Sequence, residues 1–177
     1  MTHDQMVRGT NFTCFHAGPR EGWTQFRLEP PDVPLPIRGK LFLRSLLGSA
    51  GLEMSLNVVP PGKGMPFLHK HRENDEAYIV VGGRGQFLVD GECIDVAEGT
   101  VLRLGPAAAR AWRNNSDAPL YFLCIQYRAD PAHGRVPAEF DPDVFRAPAA
   151  DLSPDLLYPC GEGSCLTSNS RQEGSIL

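Results

Sequence analysis

The sequence predicts an all-β sandwich or barrel, and three observations carry that reading. Between residues 40 and 128 the apolar and β-branched residues gather into nine short runs, and no long amphipathic helix pattern competes with them. Gly and Pro supply 18 and 16 of the 177 residues, well above a usual joint share of roughly 12%, so the chain turns often. Turn chemistry separates the runs from one another.

Taken in order, the runs are residues 41–47, 54–59, 67–71, 76–81, 84–89, 92–96, 100–104, 109–114 and 120–127. Asp90-Gly91 stands alone between FLV and ECIDV. Both residues tolerate positive φ, so a two-residue hairpin loop is expected there. Gly82-Gly83 is expected to make the same kind of turn between AYIVV and RGQFLV. Residues 1–39 show no sustained periodicity, and Pro30, Pro31, Pro34 and Pro36 stiffen their end into an extended lead-in. Beyond residue 128 the prolines recur (Pro131, Pro137, Pro142, Pro148, Pro154, Pro159) and the end is polar. The expected organisation is an irregular N-terminal arm (1–39), a β barrel (40–128), and a Pro-rich C-terminal extension (129–177) that packs over the barrel or a neighbouring subunit and then frays.

Composition excludes several classes. A net charge of −4 gives no basic footprint for nucleic acid. The apolar stretch from Pro119 to Ile125 falls far short of the ~18 residues of a membrane span. The first ten residues lack the apolar core of a signal peptide. Five cysteines are an odd number in a chain large enough to build a core without staples. Cys93 and Cys124 lie within strand-like runs and read as free thiols, as do Cys160 and Cys165, whose spacing suits neither zinc nor redox chemistry. A reducing cytoplasm is the expected compartment.

The chemistry concentrates in FLHKHRENDEAY. On a strand, His69 and His71 project side by side from one face. Glu76 opens the next run, and a short turn can bring its carboxylate back to the imidazoles. Two neutral imidazoles and one carboxylate suit a first-row divalent ion, and with open positions they form the familiar non-haem iron set. Glu73, Asn74 and Asp75, just before Glu76, read as a solvated turn.

These residues resemble the first motif of the cupin superfamily, G-x5-H-x-H-x(3,4)-E-x6-G. The chain offers His69, His71, Glu76 and Gly83 at that spacing, with the leading glycine out of register at Gly62 or Gly64. The second motif, G-x5-P-x-G-x2-H-x3-N, is weaker. Gly99 and Asn114 fit, while Gly105, Ala107 and Arg110 stand where Pro, Gly and His are expected. The resemblance covers about residues 54–127 and implies a double-stranded β-helix, a small jelly roll with its ligands inside the barrel. It also implies metal-ligand roles for His69, His71 and Glu76, and a homodimer paired through sheet edges and arms such as residues 1–39.

The fourth metal ligand does not transfer, because a guanidinium cannot give up its proton to coordinate a metal. Three arrangements of Arg110 are open. It clamps an anionic substrate beside a three-ligand metal; it pairs with Glu76 in a metal-free pocket; or it points outward and Gln126 completes the shell. Strand alternation nominates Trp112, Tyr78 and Phe67 as pocket walls, with Asn57 and Gln86 as weaker candidates.

Three functions remain in view: a metal-dependent oxygenase or isomerase/lyase acting on a small metabolite, an anionic one where Arg110 clamps it; a non-enzymatic small-molecule binding or sensing module; and a structural homodimer with a vestigial pocket. In the first, Glu76 or Tyr78 moves a proton, Arg110, Trp112, Phe67 and Gln126 contact substrate, and the metal is Fe, Mn, Ni or Zn.

Overall fold

The computed structural model describes residues 5–29, residues 36–128 and the backbone of residues 145–146. The remainder of the C-terminal extension, with Cys160 and Cys165, lies outside the described residues, as do Pro30, Pro31 and Pro34.

Strands β1 (Met6–Arg8) and β2 (Thr13–Phe15) form an antiparallel pair, followed by a 3-10 helix at Arg20–Gln25. β3 (Arg27–Leu28) pairs with β4 (Ile37–Arg38). The barrel then comprises β5 (Lys40–Phe42), helix α1 (Arg44–Leu47), β6 (Glu53–Val59), β7 (His69–Lys70), β8 (Asn74–Gly82), β9 (Arg84–Val89), β10 (Glu92–Ala97), β11 (Val101–Leu104), β12 (Arg110–Arg113), β13 (Leu120–Arg128) and β14 (Phe145–Arg146). Two five-stranded sheets face each other, ordered β11-β8-β13-β6-β5 and β10-β9-β12-β7-β14. Every named pairing within them is antiparallel. The all-β jelly-roll expectation is met.

Alternation along the strands builds two apolar layers. Inside, Tyr78, Val80, Phe87, Trp112, Leu120 and Phe122 pack between the sheets. Outside, Leu41, Leu56, Val58 and Tyr121 would face water, but Trp23 and Phe26 of the N-terminal arm cover them. The arm therefore packs on its own barrel.

Several local expectations change. Asp90 (φ 50°) and Gly91 (φ 90°) make the tight β9–β10 hairpin as expected. Gly82-Gly83 does not make a hairpin: β8 and β9 belong to different sheets, and the chain crosses between them at Gly83. Gly83 has φ 78°, and a Cβ there would lie 2.1 Å from the Pro119 carbonyl oxygen, so glycine allows the crossing. The run 41–47 is strand only to Phe42. The Leu43 and Arg44 amides donate to Glu53 Oε1, each at 3.1 Å, and Gly48 closes the short helix in the left-handed region. Asn74 and Asp75 are buried in β8 rather than solvated; Asp75 Oδ2 accepts from Arg103 Nη2 at 2.6 Å. Cys93, expected as a free thiol, is disulfide-bonded, while Cys14 and Cys124 are free. No helix among the described residues is long and apolar enough to cross a membrane.

Candidate functional site

β7 brings His69 opposite Arg110 of β12 in the strand register. His71 follows the end of β7, where its amide donates to the Pro106 carbonyl at 3.0 Å. Glu76 sits on the inward face of β8, beside Gln126 of β13. The ligand atoms of His69, His71 and Glu76 lie within 4.8 Å of one another, all three residues being buried. The two imidazoles are nearly perpendicular, with ring centroids 5.6 Å apart.

The two oxygens of Glu76 have different partners. Oε2 accepts from Arg110 Nε at 2.9 Å, from Arg110 Nη2 at 2.7 Å and from the Tyr78 hydroxyl. Oε1 lies 3.1 Å from His71 Nε2 and accepts weakly from Cys124 Sγ at 3.5 Å. Arg110 Nη1 donates to the Ala108 carbonyl at 2.7 Å, and the whole side chain is fully buried. Of the three arrangements open to Arg110, the structure has the pairing with Glu76. The side chain is directed inward, not outward.

Electrostatics follow from this burial. Desolvation opposes ionisation of Glu76, but the hydrogen bond with His71 and the charge of Arg110 outweigh it, and the carboxyl stays well below its usual range. Burial lowers His69 from the ordinary 6.5 to about 3, so its ring is neutral at neutral pH. His69 Nδ1 is buried without a hydrogen-bond partner. Burial, helped by the charge of Glu76, pushes the Tyr78 phenol well up, so it remains protonated. Burial does the same to the Cys124 thiol.

The pH dependence of chelator-treated protein follows in sign. An unfolded chain protonates His69 near 6.5 and the fold only near 3, so this contribution is full above pH 6.5 and falls as the pH drops toward 3. The loss is roughly 1.4 kcal/mol per pH unit across that window. Glu76, also lowered, adds a loss of the same sign at more acid pH. Denaturant titrations should find the protein about 2 kcal/mol less stable at about pH 5 than above about pH 7. Equal midpoints would mean that His69 is not held neutral.

The remaining nominated residues sort by strand face. Trp112 is edge-on to His69 at 5.6 Å between centroids, and Phe67 stands 6.2 Å from the same ring. Tyr78 is buried in the aromatic cluster with Phe87, 4.8 Å away, and its hydroxyl donates to Glu76 Oε2. Asn57 points inward but bonds to Ser55 Oγ at 3.0 Å. Gln86 bonds to Asp95 at 2.9 Å and Arg113 at 2.7 Å, on the face opposite the inward Phe87. Asn114 braces the loop before β13 through the Val59 and Ala118 carbonyls, at 2.8 and 2.7 Å. Besides Cys124, which touches Glu76, two further described residues near the site go unnominated by the sequence reading. Asn74 shares the face of Glu76, a placement that strand parity carries but its acidic neighbours disguise. Lys40 enters on the edge strand β5, where its ammonium stands 5.9 Å from the Trp112 ring centroid.

Comparisons with known proteins agree with this barrel. The model of the cupin domain family matches residues 55–126. A cupin protein of known structure from Bacteroides fragilis is 34% identical with a TM-score of 0.51, over 64% of this chain and 91% of that one. An uncharacterized protein of Methanocaldococcus jannaschii is 33% identical over 79 residues, which is 44% of this chain; the match spans 62% of that relative's length. A sugar phosphate isomerase from Silicibacter pomeroyi is 24% identical with a TM-score of 0.47, over 51% of this chain and 59% of that one. On two opposed antiparallel sheets, a buried His-His-Glu group between them and the matching family model, the chain belongs to the cupin superfamily.

Proposed function

We propose that this cupin binds a first-row divalent metal through His69, His71 and Glu76, and acts on a small molecule at the positions those three ligands leave open. The observation that carries the reading is the division of labour on Glu76. Arg110 and Tyr78 both take Oε2, which leaves Oε1 turned toward His71 Nε2 at 3.1 Å. Two donors at right angles around an ion at ~2.1 Å lie ~3 Å apart, so the separation suits adjacent ligands. The unpartnered Nδ1 of a neutral His69 is the third donor.

When bound, such an ion supplies Lewis acidity toward a carbonyl or, if it is iron, one-electron chemistry with oxygen. The protein's own contribution is orientation. Arg110 replaces the fourth imidazole of the family motif by a hydrogen-bonded brace behind Glu76, the role that outer partners of ligating carboxylates play. Trp112 and Phe67 offer aromatic walls beside His69. Glu76 is a poor proton acceptor, because its charge is held by Arg110 and His71.

The same Arg110–Glu76 pair favours a second reading, a metal-free small-molecule binding module. It neutralises the only carboxylate of the group and so weakens attraction for a divalent ion. Metal content decides between them. Untagged protein, analysed by inductively coupled plasma mass spectrometry beside a His69→Ala, His71→Ala double variant, should carry near-stoichiometric metal that the variant loses. No metal in the wild type after reconstitution would overturn the metal reading and leave the second.

A further inference from the structure

We infer that Lys40 is the anion-recognition residue of this site, and that its ligand is a small molecule bearing an anionic oxygen group, carboxylate or phosphate. The inference rests on the proposed occupation of the barrel by a small molecule, with or without a metal.

Lys40 closes a row that crosses the inner face of one sheet from Val80 through Phe122 and Asn57. Its backbone lies on the edge strand, and its side chain reaches toward the opposite sheet. The ammonium stands 4.8 Å from the ring centroid of Phe42 and 5.9 Å from that of Trp112. Trp112 in turn meets the His69 ring at 5.6 Å.

Among the described residues this ammonium has no acceptor. The nearby carboxylate, Glu76, is engaged by Arg110, and no ion pair among the described residues includes Lys40. Ring faces attract a cation but do not accept its three hydrogen bonds. Lys40 is half-buried, and its ammonium, set over two rings, is placed to donate a charge-assisted hydrogen bond to an anionic oxygen. Arg110 is engaged by Glu76, so among the described residues around this site Lys40 is the cation open to a ligand.

A second, independent observation points to a polar ligand. Asn74 is 1% exposed, and neither its Nδ2 nor its Oδ1 has a hydrogen-bond partner. Its place in β8, two residues before Glu76, puts it on the inner face. Buried amides without partners are rare in folded proteins. Here one sits two residues along β8 from Glu76, at the far end of the inner face from the Lys40 row.

The test is a titration of full-length protein with sodium phosphate and, separately, sodium acetate, each with and without zinc. The Trp112 indole N–H resonance is the reporter, assigned with a Trp23→Phe variant. At least one anion should shift it saturably in the wild type. Lys40→Gln should weaken that binding by about tenfold, the size of one charge-assisted bond. Lys40→Arg, which keeps the charge, should bind nearly as the wild type does. Preference for acetate or for phosphate assigns the group. Equal binding by Lys40→Gln, or no saturable shift with either anion, would overturn the proposal. Lys40-dependent binding in protein that takes up no zinc would sink the metal reading and leave this one standing.

Discussion

Arg110→Leu is expected to lower stability by about 3–5 kcal/mol, enough to unfold much of the protein at room temperature. The guanidinium is fully buried and donates to Glu76 Oε2 through two nitrogens, at 2.9 and 2.7 Å. Removing it leaves the Glu76 charge in a site with 2% exposure, supported by one hydroxyl, one imidazole and a weak thiol donor. The loss reflects the stranded charge more than the strength of the pair. A second substitution separates the two. Glu76→Gln combined with Arg110→Met removes both charges and fills similar volume, so its urea midpoint should recover most of the loss. A loss below about 1 kcal/mol in Arg110→Leu would mean that water reaches the pair.

That prediction depends on something the sequence carries only in part. The barrel was legible because its signals are local: apolar runs of strand length and the Asp90-Gly91 hairpin. The triad was legible for the same reason, since His69 and His71 share a face and Glu76 follows within five residues. Arg110 could be recognised as a departure from the family motif, but where its side chain ends depends on a partner 34 residues away. Gly83 shows the opposite failure. Its local chemistry reads as a hairpin, and only the sheet order assigns it to a crossing between sheets. Lys40 and Asn74 fall between these cases. Each follows strand parity, yet a lysine at a strand edge and an asparagine in an acidic segment are ordinary surface residues until the opposite wall is known.

The largest effect away from the site should come from Trp23→Ala. The 3-10 helix at Arg20–Gln25 places Trp23 edge-on to Tyr121, with centroids 6.1 Å apart, in a cluster with Phe26, Leu41, Leu56 and Val58. Gly39 N donates to the Phe26 carbonyl at 2.9 Å and ties the arm to the start of β5. Truncating a buried tryptophan to alanine costs about 3–5 kcal/mol, and it also opens the outer face of the sheet to water. Melting temperature should drop sharply, and elution should shift toward larger species as that apolar face becomes exposed. Trp23→Phe should retain most of the stability, because the indole nitrogen it removes is buried without an acceptor. Arms of this kind were expected to reach a second subunit; here the described part of the arm covers its own barrel. If Trp23→Ala melts like the wild type, the arm does not hold this face in solution and is free to pair two copies.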